Sequence, residues 1–260
     1  EESAALYNQA IELRRRLLGR EHPLVALNVH NFAVLQLYRG ELQQAAALSQ
    51  EALKLFRRVY GEDHTLTVSA RNNLANIDRV LGRYEAAEEG TRTVLDWWVK
   101  TQGPDNPNSI GALSNLGQIY RDRGDLARAE EILRDADGRW HRRMGAAHPT
   151  GASIRKHLAG TLADRGQYDE AGRLLRDVLD RIRAAYGASH TEVAATLHEW
   201  GELARRRGDL AEAESRLGEA VAMRRELLGE QHYLTGRSLA ALGATRLAGP
   251  GPASARQPLE

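Results

Sequence analysis

Cysteine is absent from the 260 residues, which removes disulfides, thiolate zinc sites, iron–sulfur clusters and cysteine nucleophiles together. Aromatic residues make up only 5%, and no run alternates apolar and polar residues for long enough to suggest a strand. No apolar stretch approaches the roughly 18 residues of a membrane span, and no signal peptide opens the chain. Neither sign of charge is in excess. Thirty-six Lys and Arg face 35 Asp and Glu, for a formal net charge of +1, so the overall balance gives no footprint for nucleic acid or an anionic membrane. The first residue is Glu and the chain closes with Leu259-Glu260, which reads as a soluble, cytoplasmic segment of a longer protein. With 42% hydrophobic and 27% charged residues the chain carries enough apolar surface for a core. Ala, Leu, Arg and Glu dominate, which favours helix.

What is present is a repeat. Gly40, Gly82, Gly124, Gly166 and Gly208 are 42 residues apart, and each is followed five residues later by an alanine: Ala45, Ala87, Ala129, Ala171 and Ala213. A second series, Gly19, Gly61, Gly103, Gly145, Gly187 and Gly229, keeps the same period, with His22, His64, Asn106, His148, His190 and His232 three residues on. The two series cut each period into segments of about twenty residues whose apolar positions follow helical spacing, as in Leu113, Leu116, Ile119 and Tyr120. Gly after a helical segment suits a left-handed cap, and Pro23, Pro107 and Pro149 suit the first turn of the next helix.

The pattern predicts helix hairpins. Helix A covers about 23–38, 65–81, 107–123, 149–165, 191–207 and 233–247; helix B covers about 41–59, 83–101, 125–143, 167–185 and 209–228. An unpaired B helix lies within 1–18, and full repeats fall at about 23–60, 65–102, 107–144, 149–186 and 191–228. The expected organisation is one array over 1–248 and a flexible tail over 249–260, rich in Gly and Pro at its start.

These residues resemble the tetratricopeptide family. Helix A carries a large–small pair at Phe32-Ala33, Leu74-Ala75, Leu116-Gly117, Leu158-Ala159, Trp200-Gly201 and Leu242-Gly243, ahead of the turn Gly and the helix-B Ala. The unit is eight residues longer than the usual 34, close to one added turn per helix. The linker from Leu18 to Pro23, with Asn72-Asn73-Leu74-Ala75 and Asn115-Leu116, looks like the kinesin-light-chain type. HEAT and armadillo repeats have similar periods but lack the turn Gly with its Ala. The resemblance implies an all-α, right-handed superhelical α-solenoid whose concave wall is lined mainly by A helices and binds a peptide or partner segment.

The exposed stripe expected on that wall reads His30, Val34, Leu37; Asn72, Asn76, Arg79; Ser114, Gln118, Arg121; Lys156, Gly160, Ala163; and His198, Glu202, Arg205. A neighbouring column holds Asn31, Asn73, Asn115, His157 and Glu199. Amide side chains both donate and accept, as an extended peptide backbone requires. Arg79, Arg121 and Lys156 would favour an acidic ligand. In the kinesin-light-chain family such groove asparagines contact cargo peptides, which the resemblance extends to Asn31, Asn73 and Asn115; His157, Glu199 and Ala241 depart from that ladder. The competing interpretation is that these asparagines bond only to neighbouring helices.

Other signals carry less chemistry. Equivalent histidines on successive repeats stand too far apart to share one ion through bonds of about 2.0–2.1 Å, so a helix-capping role is expected and no metal or cofactor. His198-Glu199 lacks the second His of a metalloprotease motif, and no phosphate loop or nucleophile elbow occurs, so no enzyme is expected. Arg14-Arg15-Arg16, Arg142-Arg143, Arg205-Arg206-Arg207 and Arg224-Arg225 fall near helix ends, where cations complement the dipole; nucleic-acid binding is therefore a minor alternative. Trp98 and Trp140 share a repeat position with Phe56 and Ile182 and are read as packing residues. Trp97, whose equivalents are Leu55, Arg139 and Arg181, would anchor a partner or second copy if exposed. Self-assembly through the repeat ends is the second functional alternative.

Overall fold

The computed structural model describes residues 2–144 and 151–249. Among them are twelve α-helices and no strand: α1 Glu2–Leu18, α2 Pro23–Tyr38, α3 Leu42–Tyr60, α4 Thr65–Val80, α5 Tyr84–Gln102, α6 Pro107–Arg123, α7 Leu126–Met144, α8 Ala152–Asp164, α9 Tyr168–Tyr186, α10 Thr191–Arg207, α11 Leu210–Leu228 and α12 Tyr233–Ala248. Even-numbered helices are the A helices and odd-numbered ones the B helices, each pair antiparallel across a short turn. The chain forms two compact units, Glu1–Ile132 and Leu133–Glu260, divided within α7. The sequence expectation was one unbroken array. His148, Pro149 and the expected tail from 250 onward lie outside the described residues.

Local chemistry sets the helix boundaries. The Nδ1 atoms of His22, His64, His190 and His232 each accept the N–H two residues ahead at 3.2 Å. The Oδ1 of Asn106 takes the same role toward Asn108 at 2.8 Å. These are N-caps, each meeting a donor that the first turn otherwise leaves without a partner. Tyr60 stacks on His64 and Tyr186 on His190, with ring centroids 4.3 and 4.5 Å apart. Each cap is thereby tied to the end of the preceding B helix. At the A-to-B turn Gly124 is left-handed, with φ of 94°, and the Asp125 N–H reaches back to the Tyr120 carbonyl at 2.9 Å.

The fourth A helix, α8, is described from Ala152, with Gly151 before it in a right-handed conformation; its expected start at 149 lies outside the described residues. A Cβ on Gly151 would stand 2.5 Å from Trp140 Cδ1, so the indole presses directly on the cap backbone. Trp140 itself is buried, the packing role expected of it.

The unit 1 core brings Val25, Val29 and Phe32 against Ala52, Leu53 and Phe56, with Tyr7 of α1 stacked on Phe32 at 5.6 Å. In unit 2, Leu158 and Leu162 of α8 meet Leu175, Leu179 and Ile182 of α9 and Val193, Leu197 and Trp200 of α10. Each Val, Leu, Ile or Phe among them contributes about 1.5–3 kcal/mol on full burial. Small residues set the helix spacing: a Cβ on Gly201 would lie 2.5 Å from Leu217 Cγ, whereas at Gly243 nothing stands within 4 Å.

Candidate functional site

Within unit 1 the A helices α2, α4 and α6 lie in sequence, and their polar columns join side to side. The Asn73 amide donates to His30 Nε2 at 3.3 Å, and the Asn115 amide donates to Asn72 Oδ1 at 3.3 Å. Arg79 bonds Asp122. All three pairs span 43 residues, one repeat plus one position, so each helix offers its first column to the second column of the next. Gln118 extends the chain of amides to Asn115 Oδ1 at 3.4 Å, and Arg79 also donates to Asn76 Oδ1 at 3.3 Å. Burial holds the His30 imidazole below its ordinary pKa, which suits the acceptor role of its Nε2. Asn31 and Asn76 are exposed, while Asn72, Asn73, Asn115, Gln118 and Arg121 are half-buried.

Beside this ladder lies a cavity of about 290 Å³. Val68, Val94, Ala112 and Trp98 supply its apolar wall, and Asn72 and Asn115 lie on its lining. Ser69 and Gly111, also in the lining, occupy the place where the first repeat has Leu27, and a Cβ at Gly111 would meet open space. Small residues there leave the cavity unfilled.

In unit 2 the expected stripe is broken. His198 is 2% exposed and so lies beneath the surface, a correction to its placement among ligand-contacting residues. Its Nδ1 lies 3.1 Å from Ser238 Oγ, which in turn takes a 2.6 Å bond from the buried Arg224. Burial, with Arg237 and Arg224 nearby, lowers the His198 pKa to about 4. Ala163 and Ser114 are buried as well. Lys156 is held by Glu192 at 2.7 Å and Arg205 by Glu202 at 2.9 Å. Burial acts to raise the Glu202 carboxyl, but the bond and charge of Arg205 outweigh it and leave it below its ordinary value. His157 is half-buried and its carbonyl accepts the Thr161 hydroxyl at 3.0 Å.

The sequence reading missed Asp122 and Glu192, and it placed Glu202 on the stripe without pairing it to Arg205. Asp122, Glu192 and Glu202 neutralise Arg79, Lys156 and Arg205, so the basic character expected of this face is partly met from within. The signal was available for Glu202 and Arg205, which are three residues apart on one helix; the other two pairs join different helices. The Arg clusters are likewise engaged: Arg206 pairs with Asp164, Arg207 with Asp209 and Glu212, and Arg15 with Glu12 and Glu51. Trp97 is half-buried against the Val68, Val94 and Ala112 cluster, edge-on to Trp98 at 4.7 Å. The exposure that an anchoring role needs is therefore only partial. Among the described residues no three His, Asp or Glu are grouped to hold a metal, and no helix is long and apolar enough to cross a membrane.

A tetratricopeptide-repeat profile matches residues 1–58, 27–89, 66–136, 152–226 and 192–260. The chain belongs to the tetratricopeptide-repeat family. Its fold is similar to that of BtubC (BKLC) from P. vanneervenii, with a TM-score of 0.65 and 20% identity over 87% of this chain and 91% of that one. A putative kinesin light chain of Podosopora anserina with nearly identical TPR-like repeats aligns with a TM-score of 0.60 and 23% identity, over 79% of this chain and 97% of that one. A Rap protein complexed with Competence and Sporulation Factor aligns with a TM-score of 0.63 and 15% identity, over 94% of this chain and 69% of that one. At these identities the likeness carries the fold. No curated protein matches the chain.

Proposed function

We propose that this protein is a non-catalytic, cytoplasmic interaction module that holds an extended peptide or partner segment along the A helices, as a regulatory part of a larger protein. The observation that carries this is the amide ladder of Asn73 with His30 and Asn115 with Asn72, set beside the 290 Å³ cavity. Amides that bond one another at 3.3 Å sit at the long end of hydrogen-bond geometry and can exchange those bonds for a peptide N–H and C=O at little net cost. The cavity accepts one apolar side chain of the segment, and an acidic residue of the segment would compete with Asp122 for Arg79. Support from the family comes from the similar fold seen in complex with Competence and Sporulation Factor.

The test is affinity capture from a cell extract, followed by titration of the captured partner. The whole chain is compared with a variant in which Asn73, Asn115 and Arg121 are replaced together by Ala. The variant is expected to lose at least about tenfold in affinity, the effect of roughly 1.4 kcal/mol. Unchanged affinity in a variant that remains folded disposes of the proposal.

A further inference from the structure

A second recess lies on the other side of α10. At 100° per residue, Trp200, Leu203 and Arg207 point away from the face bearing His198, Glu202 and Arg205. Together with α9 and the start of α11 they enclose about 310 Å³, lined also by Asp169, Gly172, Arg173, Arg176 and Glu212. Two cations approach the Trp200 ring, with the Arg216 guanidinium 4.5 Å and the Arg176 guanidinium 5.7 Å from its centroid.

The repeat supplies an internal comparison. In unit 1 the equivalent crevice lies between α5, α6 and α7, two repeats earlier. There Glu88 stands at the position of Gly172, and its carboxylate gathers the surrounding donors. It accepts from the Tyr120 hydroxyl at 2.6 Å, Arg92 at 3.0 Å and Arg123 at 3.4 Å. The Tyr120 bond, with Arg92 and Arg123, holds Glu88 below its ordinary pKa despite partial burial. Arg92 and Arg123 recur in unit 2 as Arg176 and Arg207, and Glu85 is retained as Asp169, but the carboxylate between the arginines has become Gly172 and the neighbouring Glu89 has become Arg173. The compensating change, Arg128 to Glu212, is already used: Glu212 pairs with Arg207 at 3.0 Å and Arg216 at 3.9 Å. Among the described residues neither Arg173 nor Arg176 is in an ion pair, and the Glu170 carboxylate that feels Arg173 is already held by Arg134 at 2.8 Å. A third version of the crevice, about 330 Å³ between α1, α2 and α3, is lined by Asn8, Gln36 and Gln44. The recess thus belongs to the repeat, whereas its surplus of arginine belongs to unit 2 alone.

We propose that this recess binds a phosphate monoester, whose oxyanion takes the place that the Glu88 carboxylate occupies in unit 1. The guanidinium groups of Arg173 and Arg176, neither held in an ion pair among the described residues, present positive charge to a dianion, and their forked donors fit its oxygens. The remaining volume beside Trp200 accommodates the group that carries the phosphate. That group is either a free phosphorylated metabolite or a phosphorylated side chain of another protein. The site is independent of the amide ladder, which lies in unit 1.

Calorimetric titration of the whole chain with adenosine monophosphate, a phosphoserine peptide and the same peptide unphosphorylated tests this. Saturable binding of a phosphate probe, with none of the unphosphorylated peptide, is the expected result. Preference for the nucleotide assigns a small-molecule ligand, and preference for the peptide assigns a protein one. The double variant Arg173→Ala/Arg176→Ala is expected to bind at least about tenfold more weakly, as loss of charge-assisted bonds requires. The sharper variant is Gly172→Glu, which rebuilds the internal carboxylate of unit 1. A Cβ there meets only Leu203 Cδ2 at 3.7 Å, so the fold accepts it and thermal unfolding is not expected to fall. Binding is expected to be lost. No saturable binding of either phosphate probe, or binding that Gly172→Glu leaves intact, overturns the proposal.

Discussion

Asn115 donates its side-chain amide to Asn72 Oδ1 at 3.3 Å across the α4–α6 contact, 43 residues apart in the chain. Both residues lie on the lining of the same cavity. The ladder is therefore already assembled in the free chain, so the proposed binding would exchange its bonds rather than create new ones.

A double-mutant cycle measures that bond. Asn72→Ala and Asn115→Ala should each destabilise unit 1 by about 0.5–1.5 kcal/mol, with a coupling energy of roughly 0.5 kcal/mol or more between them. Urea unfolding of the four proteins reports it. Strict additivity would mean that the amides do not act on one another in solution.

The capping histidines allow a substitution that the molecule has already made. His64→Ala removes the acceptor for the Leu66 N–H and should cost about 1 kcal/mol. His64→Asn reproduces the Asn106 cap of the next repeat and should restore most of that loss, apart from the stacking on Tyr60. If Ala and Asn prove equally destabilising in denaturant melts, the cap contributes nothing.

Glycine at the small position should respond oppositely in two places. Gly201→Ala drives a methyl group into Leu217 and is expected to cost about 1–3 kcal/mol by overpacking. Gly243→Ala meets no atom within 4 Å and should be neutral or stabilise by up to about 1 kcal/mol through helix propensity. Thermal unfolding of the pair decides between close packing and mere propensity.

Acid should weaken unit 2 through His198. Its folded pKa of about 4 lies below the ordinary 6.5, so between these values the unfolded chain binds the proton and the folded chain does not. Stability is then complete above about pH 6.5, falls as the pH drops toward 4, and levels off below. The full swing is on the order of 3 kcal/mol. His198→Asn should flatten that part of the stability–pH curve; an unchanged slope would locate the acid sensitivity elsewhere.

Much of the architecture was legible because it is periodic. Two glycine series and the large–small pair place every hairpin, and eleven of the twelve helices start and end within about two residues of their expected bounds. The exception is α8, described from Ala152, where Trp140 packs on the Gly151 backbone, a contact that no local pattern encodes. Capping by histidine was also readable, since a repeated polar residue just ahead of each A helix has one simple use. The polar stripe was less so. Helical spacing says which side chains share a face, but not whether a following helix covers that face, and α12 with Ser238 covers His198.

By itself the sequence determined the repeat, the pairing of helices and the family, because each follows from spacing along one chain. Which charges remain available was decided only by tertiary structure. Arg79 and Lys156 look alike as free cations until Asp122 and Glu192 are brought to them from neighbouring A helices. Arg92 and Arg176 look alike until one meets Glu88 and the other, among the described residues, is left outside any ion pair. Coulombic and hydrogen-bond energies fall off over a few ångströms, so these differences arise from packing distances that the order of residues leaves open.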